Sequence, residues 1–285
     1  MPYGDSVVRR MWRGVTSLGS GGRAARELAE LAVAAQVPLP TGRRLAVVAM
    51  HGGAGRSTVA AVLALVFAAR RRDPVLLADA DPEGSVLSWR LGLVNLPSLA
   101  SLAPRLLDAW GSGLLGLDQL LPRLRSGPWV LPGGAPEQSL LCRDVTRSLS
   151  RLFAVCVIDS AGTVASPATA AVLDEAHGIV VASAAVPGAV RETHAGLVRL
   201  AATRGHVVLS RVVVVLNAIS PDGLAALRMD TVRAAFDGLG VPLVVLPYDR
   251  HLAAGALVDP SRVGERTTVE ATRLAGYALA RARQL

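Results

Sequence analysis

The run Met50-His51-Gly52-Gly53-Ala54-Gly55-Arg56-Ser57-Thr58 combines three glycines, basic side chains and two adjacent hydroxyls in an order that suits a phosphate cradle. Gly52, Gly53 and Gly55 let the chain turn tightly, so that successive N–H groups face an anion, and a helix opening behind them adds positive potential. A hydroxyl at Ser57 is where a Mg2+ ligand belongs, and Thr58 is placed to touch an α-phosphate. The strict pattern G-x-x-x-x-G-K-[ST] is not met, because Met50 takes the first glycine position and Arg56 the lysine position. Alone, the segment is also compatible with a glycine-rich turn that binds nothing. Two further segments carry acids. Leu76 to Pro82 places Asp79 and Asp81 at the end of an apolar run, where carboxylates hold metal-bound water or orient an attacking one. Cys156 to Gly162 places Asp159 at the end of another, as an acid reaching a Mg2+ shell would be. Each acid taken singly is equally a helix N-cap. Three such positions in this order are not explained by caps alone.

Positioning these groups requires strands that end where helices begin. Short, Val-rich apolar runs at Leu45 to Met50, Val75 to Ala78, Val155 to Ile158, Ile179 to Ala182, Val212 to Leu216 and Leu243 to Leu246 lack polar alternation, as strands buried on both faces of a parallel sheet do. Helical segments fall at Ser57 to Arg72, Arg143 to Phe153, Ser166 to Ala176, Gly188 to Arg204 and Leu224 to Leu239. This order predicts an α/β fold with a doubly wound, mostly parallel sheet flanked by helices, whose ligands bind at the carboxyl ends of strands. Residues 1–43 form a basic, partly helical appendage. Its helix, Ala24 to Gln36, carries Leu28, Leu31, Ala32 and Ala35 on one face and is expected to pack on the domain's own outside rather than on a partner or membrane. Residues 44–285 form the main domain, with an insertion of one or two short helices at 95–128 whose core Trp89, Trp110 and Trp129 are expected to fill.

Composition sets the limits. A chain of 285 residues, 51% hydrophobic and 18% charged, is long enough to bury a large core and is neither disordered nor fibrous. The longest unbroken apolar stretch, Ser57 to Ala69, is too short to span a bilayer, and the arginines at Arg9, Arg10 and Arg13 precede no signal-like segment, so a cytoplasmic location is expected, with peripheral contact at the inner face of the membrane as an alternative. Cys142 and Cys156 lack metal-ligand spacing and read as reduced core thiols. All thirty basic residues are arginine. The net charge of +8 favours anionic partners, including non-specific DNA. His177, His194, His206 and His251 are scattered without a metal-like pair, and Ser160 has neither a nucleophile elbow nor a nearby base, so acyl chemistry is not supported.

On these residues the chain resembles the MinD/ParA group of deviant Walker A P-loop ATPases, whose loop K-G-G-x-G-K-[ST]-[ST] matches His51 through Thr58. The family's D-x-D-P element matches Asp79 to Pro82 and its Walker B element Asp159 to Gly162. Val213 to Asn217 looks like the strand whose terminal Asn reads adenine, and Leu246-Pro247-Tyr248-Asp249 looks like the purine-side loop. The basic appendage and the segments Val212 to Asn217 and Pro247 to Gly255 are most similar to an actinobacterial subgroup linked to type VII secretion. The resemblance implies ATP/ADP and Mg2+ as cofactors, with metal contacts from Ser57, Asp79 and Asp159. Nucleotide contacts would come from Gly52, Gly53, Ala54, Gly55, Arg56, Ser57, Thr58, Asn217, Pro247, Tyr248 and Asp249. Catalytic roles fall to Asp81, His51 and Arg56. It also implies a homodimer closed by nucleotide and a protein partner in secretion or positioning machinery.

Two positions depart from that pattern. The family's first loop lysine reaches across the dimer to the partner's phosphates and its second holds the β- and γ-phosphates of its own subunit. Here they are His51 and Arg56. Arg56 keeps a full charge on a bulkier fork, whereas His51 is shorter and carries no fixed positive charge near pH 7. Positioned cations contribute about 10³–10⁵ to phosphoryl-transfer rates. The expectation is therefore a nucleotide-binding member of the ATPase family with weak or absent hydrolysis. The alternatives are a non-catalytic scaffold that binds a protein partner and a non-specific DNA-binding module.

Overall fold

The computed structural model describes residues 22–81, 86–108, 113–125, 127–133, 139–164 and 166–284. Seven strands form one parallel sheet: β1 (Arg43–Ala49), β2 (Val75–Ala80), β3 (Trp129–Leu131), β4 (Val155–Thr163), β5 (Gly178–Ala184), β6 (Val212–Asn217) and β7 (Leu243–Leu246), in the order β3-β2-β4-β1-β5-β6-β7. Alternation along each strand sorts the side chains between two cores. Ala46 and Val48 of β1, Leu76 and Ala78 of β2, and Val212, Val214 and Leu216 of β6 face one layer. Leu45 and Val47, Val75 and Leu77, and Val213 and Val215 face the other. With both faces covered, no strand needs a polar side, which is why the sequence shows continuous apolar runs.

The helices are α1 (Gly22–Ala34), α2 (Arg56–Arg70), α3 (Val86–Arg90), α4 (Leu99–Asp108), α5 (Gly113–Leu117), α6 (Ser139–Leu149), α7 (Pro167–Glu175), α8 (Pro187–Arg204), α9 (Met229–Asp237), α10 (Arg250–Ala253) and α11 (Glu265–Ala282). α2 and α11 cover one face of the sheet, with Val59, Leu63 and Phe67 of α2 and Ala271, Leu274 and Ala278 of α11 in the same core. α1 lies against α11 so closely that a Cβ on Gly276 would stand 2.7 Å from the Leu31 carbonyl oxygen. Next to it, the Arg71 guanidinium donates to the carbonyls of Ala35 at 2.8 Å and Val37 at 3.1 Å. The arginines of segment 1–21 lie outside the described residues, as does Trp110.

Two expectations need correction. The segment Leu224 to Leu239 is not one helix: a 3-10 turn at Gly223–Ala226 precedes α9, because Leu227 is extended and packs with Leu224 and Met229 on the core. Trp89 does not fill the insertion's core; it is 54% exposed on α3, whereas Trp129 is buried in β3 edge-on to Phe153, with 5.5 Å between ring centroids. The sequence reading also lacked β3 and α11. Both cysteines are free and buried, and burial pushes their thiols up to about 12.

Candidate functional site

The strand-to-helix loop occupies the carboxyl end of β1. Gly53 and Gly55 have φ of +73° and +77°, the left-handed region where only glycine is unstrained. Gly55 caps α2, and a Cβ there would meet Asn217 Nδ2 at 2.1 Å. Gly52 and Gly53 have no atom within 4 Å of an added Cβ, so the loop's outer face opens on space. Met50, in place of a glycine, turns its side chain inward, where a Cβ on Gly196 of α8 would stand 2.6 Å from its sulfur. The loop from His51 to Thr58 lines a cavity of about 470 Å3 with Asp81, Val86 and Arg90.

Behind the loop the sheet register brings the acids together. Asp79 and Asp159 are Cα partners on β2 and β4. Both are fully buried, and each leaves its Oδ2 without a hydrogen-bond partner. Asp79 Oδ1 accepts from the Asp81 backbone N–H at 3.0 Å. Burial first, and the neighbouring Asp159 second, push the Asp79 carboxyl up to about 8. Burial likewise raises Asp159, against the opposing pull of Arg56 and a hydrogen bond from Ser57. Arg56 joins the other two acids: its Nε donates to Asp159 Oδ1 and its Nη2 to Asp81 Oδ2, both at 2.8 Å. Burial opposes the Arg56 charge, but the Asp159 and Asp81 carboxylates outweigh it and hold the guanidinium above its ordinary value.

His51 is engaged within its own chain. Its Nδ1 donates to the Gly52 carbonyl at 2.9 Å, and Nε2 stands 3.5 Å from Ser183 Oγ. Asn217, at the end of β6, donates through Nδ2 to the Ala54 carbonyl at 3.2 Å. Pro247, Tyr248 and Asp249 follow β7, whose Leu246 pairs with Asn217, and none of the three lines the cavity. Both Asp249 oxygens serve the backbone: Oδ1 accepts from His251 and Leu252 at 2.9 and 3.1 Å, and Oδ2 from Gly264 at 2.8 Å. The sequence reading missed Arg90 and Val86, whose apolar and charged neighbours along α3 carry no motif.

Among the described residues no group of three or more His, Cys, Asp or Glu side chains is arranged to hold a metal. Mg2+ does not require one, since it is commonly held by one or two carboxylates together with ligand phosphates. The hard oxygens of Ser57 and Asp159, with the orphaned Oδ2 atoms of Asp159 and Asp79 beside them, fit such a cation in kind. A larger cavity of about 890 Å3 opens at the opposite rim, where Arg44 and Arg147 are held by Glu175, and it shares no residue with the loop or its acids.

A parallel sheet flanked by helices, with a glycine loop between β1 and α2 and acids at the ends of β2 and β4, defines a P-loop nucleotide-binding protein. The family model for the CobQ/CobB/MinD/ParA nucleotide binding domain matches residues 45–257. The chain belongs to that family. It is 32% identical over 234 residues to the ESX-1 secretion-associated protein EspI of Mycobacterium tuberculosis, across 76% of this chain and 34% of that protein. The chain thus spans about a third of the length of the curated relatives it matches. Solved structures share the fold: the ParA family ATPase from Chlorobium tepidum superposes with a TM-score of 0.60 at 17% identity, covering 85% of this chain and 99% of that one. The septum site-determining protein MinD complexed with Mg-ADP, from Pyrococcus horikoshii, gives 0.57 at 20% identity, covering 82% and 92%. Among the described residues no helix is long and apolar enough to cross a membrane.

Proposed function

We propose that the chain is a nucleotide-dependent switch of the MinD/ParA type that binds ATP or ADP with Mg2+ and hydrolyses ATP weakly or not at all. One observation carries this reading: the main-chain cradle is open, while Arg56 is held by Asp159 and Asp81 and His51 is held by its own loop. Backbone N–H groups and the α2 N-terminus suffice to bind phosphate. Turnover needs mobile or trans-acting cations as well. When bound, Mg2+ would neutralise charge between phosphate oxygens, with Ser57 and Asp159 as its protein contacts and Asp79 adjacent. Asp81 would orient water only after its bond to Arg56 is released. Exposed Val86 and Trp89, three residues apart on α3 beside the cavity, support a homodimer closed across this face. A secretion-associated relative supports a protein partner in such machinery.

Calorimetric titration with Mg-ATP and Mg-ADP, followed by a turnover assay on the same sample, tests the reading. Binding with negligible turnover is expected, and His51→Lys with Arg56→Lys together should raise the rate. Turnover typical of the family in the wild type, abolished by His51→Ala, refutes the impaired site. No gain from the restored lysines would mean that another part of the machinery is also missing.

A further inference from the structure

Arg90 ends the short helix α3 and is 5% exposed, yet it forms part of the wall of the phosphate-loop cavity. Its Nη2 donates to the Leu252 carbonyl at 3.1 Å, and its Nε has no partner. Its own carbonyl accepts from the Val258 N–H at 2.7 Å, so α3 and the segment after β7 are tied together at this residue. Three other inward-facing arginines have a counter-charge: Arg71 has Asp73, Arg44 has Glu175, and Arg56 has Asp81 and Asp159. Among the described residues no carboxylate pairs with Arg90. Burial pulls its guanidinium below the ordinary arginine value. A guanidinium held out of water without an anion is an incomplete arrangement, and the cavity beside it is the one shaped for phosphate.

We propose that Arg90 is a phosphate-binding residue of this site, bringing from α3 a fixed positive charge to a loop whose own arginine, Arg56, is engaged by Asp81 and Asp159. The inference rests on reading the loop as a nucleotide site. The ligand class is a nucleoside di- or triphosphate, whose oxygens match the fork of a guanidinium better than a point charge does. Because Leu252 holds one arm of the fork, a phosphate on the other would also fix the segment after β7 relative to the loop.

The test is calorimetric titration of the wild type, Arg90→Gln and Arg90→Lys with ADP, each variant checked by thermal melting. The expected result is ADP affinity at least tenfold lower in R90Q and within about threefold of wild type in R90K, with melting temperatures close to wild type. R90Q within twofold of wild type overturns the inference and leaves the nucleotide reading standing. A wild type that binds neither ADP nor ATP overturns both. Equal weakening in R90Q and R90K, matched by equal loss of melting temperature, overturns it by making Arg90 a strut for Leu252. If R90Q does not fold, nitrogen NMR of the wild-type arginine side chains decides: the Nε–H signal missing from R90K must shift when ADP is added, and an unmoved signal overturns the inference.

Discussion

Replacing Arg56 with Met removes the cation that joins Asp81 and Asp159 and leaves the acids facing one another. The side chains of Arg56, Asp81 and Asp159 are 16%, 17% and 1% exposed, so the Asp159 half of the bridge is buried and the Asp81 half partly solvated. Removing one partner of a buried pair costs about 3–5 kcal/mol, while the partly solvated half adds at most about 1 kcal/mol. Asp159 offsets some of this by taking up a proton, since burial already raises it and the loss of Arg56 raises it further. A net loss of about 3 kcal/mol is the expectation, a fall in melting temperature of roughly 6–12 °C for a chain of this size. Thermal unfolding followed by circular dichroism at pH 7.5 and pH 5 measures it. The gap between R56M and wild type should narrow at pH 5, where protonation of Asp159, raised by burial and freed of Arg56, removes the repulsion between the acids. A gap under about 2 °C at pH 7.5, or one unchanged at pH 5, would refute the idea that this bridge supports the site.

Two further outcomes follow from local geometry. Gly55→Ala places a Cβ in a left-handed position against Asn217 Nδ2, so the Asn217–Ala54 bond should break, with a loss of about 1–2 kcal/mol and of ADP binding; wild-type titration curves for G55A would exclude this account of the loop. His177 accepts the Arg44 N–H on Nδ1 and is pushed down to about 4, first by burial and then by Arg44, so it must be neutral in the fold. The unfolded chain takes up a proton there below about pH 6.5, so stability present above that pH is lost as pH falls toward 4. His177→Asn, whose side-chain carbonyl still accepts the N–H, should flatten the slope of melting temperature over that window.

Much of the architecture was legible because strands buried on both faces leave unbroken runs of valine and leucine, and six of the seven strands announce themselves so. β3 did not, because three residues amid the Leu- and Pro-rich segment before it carry no period. α11 was missed because its buried face is built largely from Ala and Thr, such as Ala271, Thr272, Ala275 and Ala278, rather than from large apolar residues. Leu224 to Leu239 read as continuous because the pull of the core on Leu227 is not local. At the site, the loop and the three acids were legible from spacing. The long-range partners of Arg56 and His51 were not, since Asp159 and Ser183 lie more than a hundred residues away and are brought in by the sheet. Arg90 is one arginine among thirty, and only its place beneath Leu252 sets it apart.

Since every strand of the sheet runs the same way, the molecule has two ends of unlike character. Along β1, seven residues long, they are separated by about 23 Å. Thr41 and His177 border the end remote from the glycine loop. A fluorophore or affinity tag attached near Thr41 therefore sits a strand's length from any nucleotide and would track unfolding without perturbing ligand affinity, giving one sample on which both properties can be followed separately.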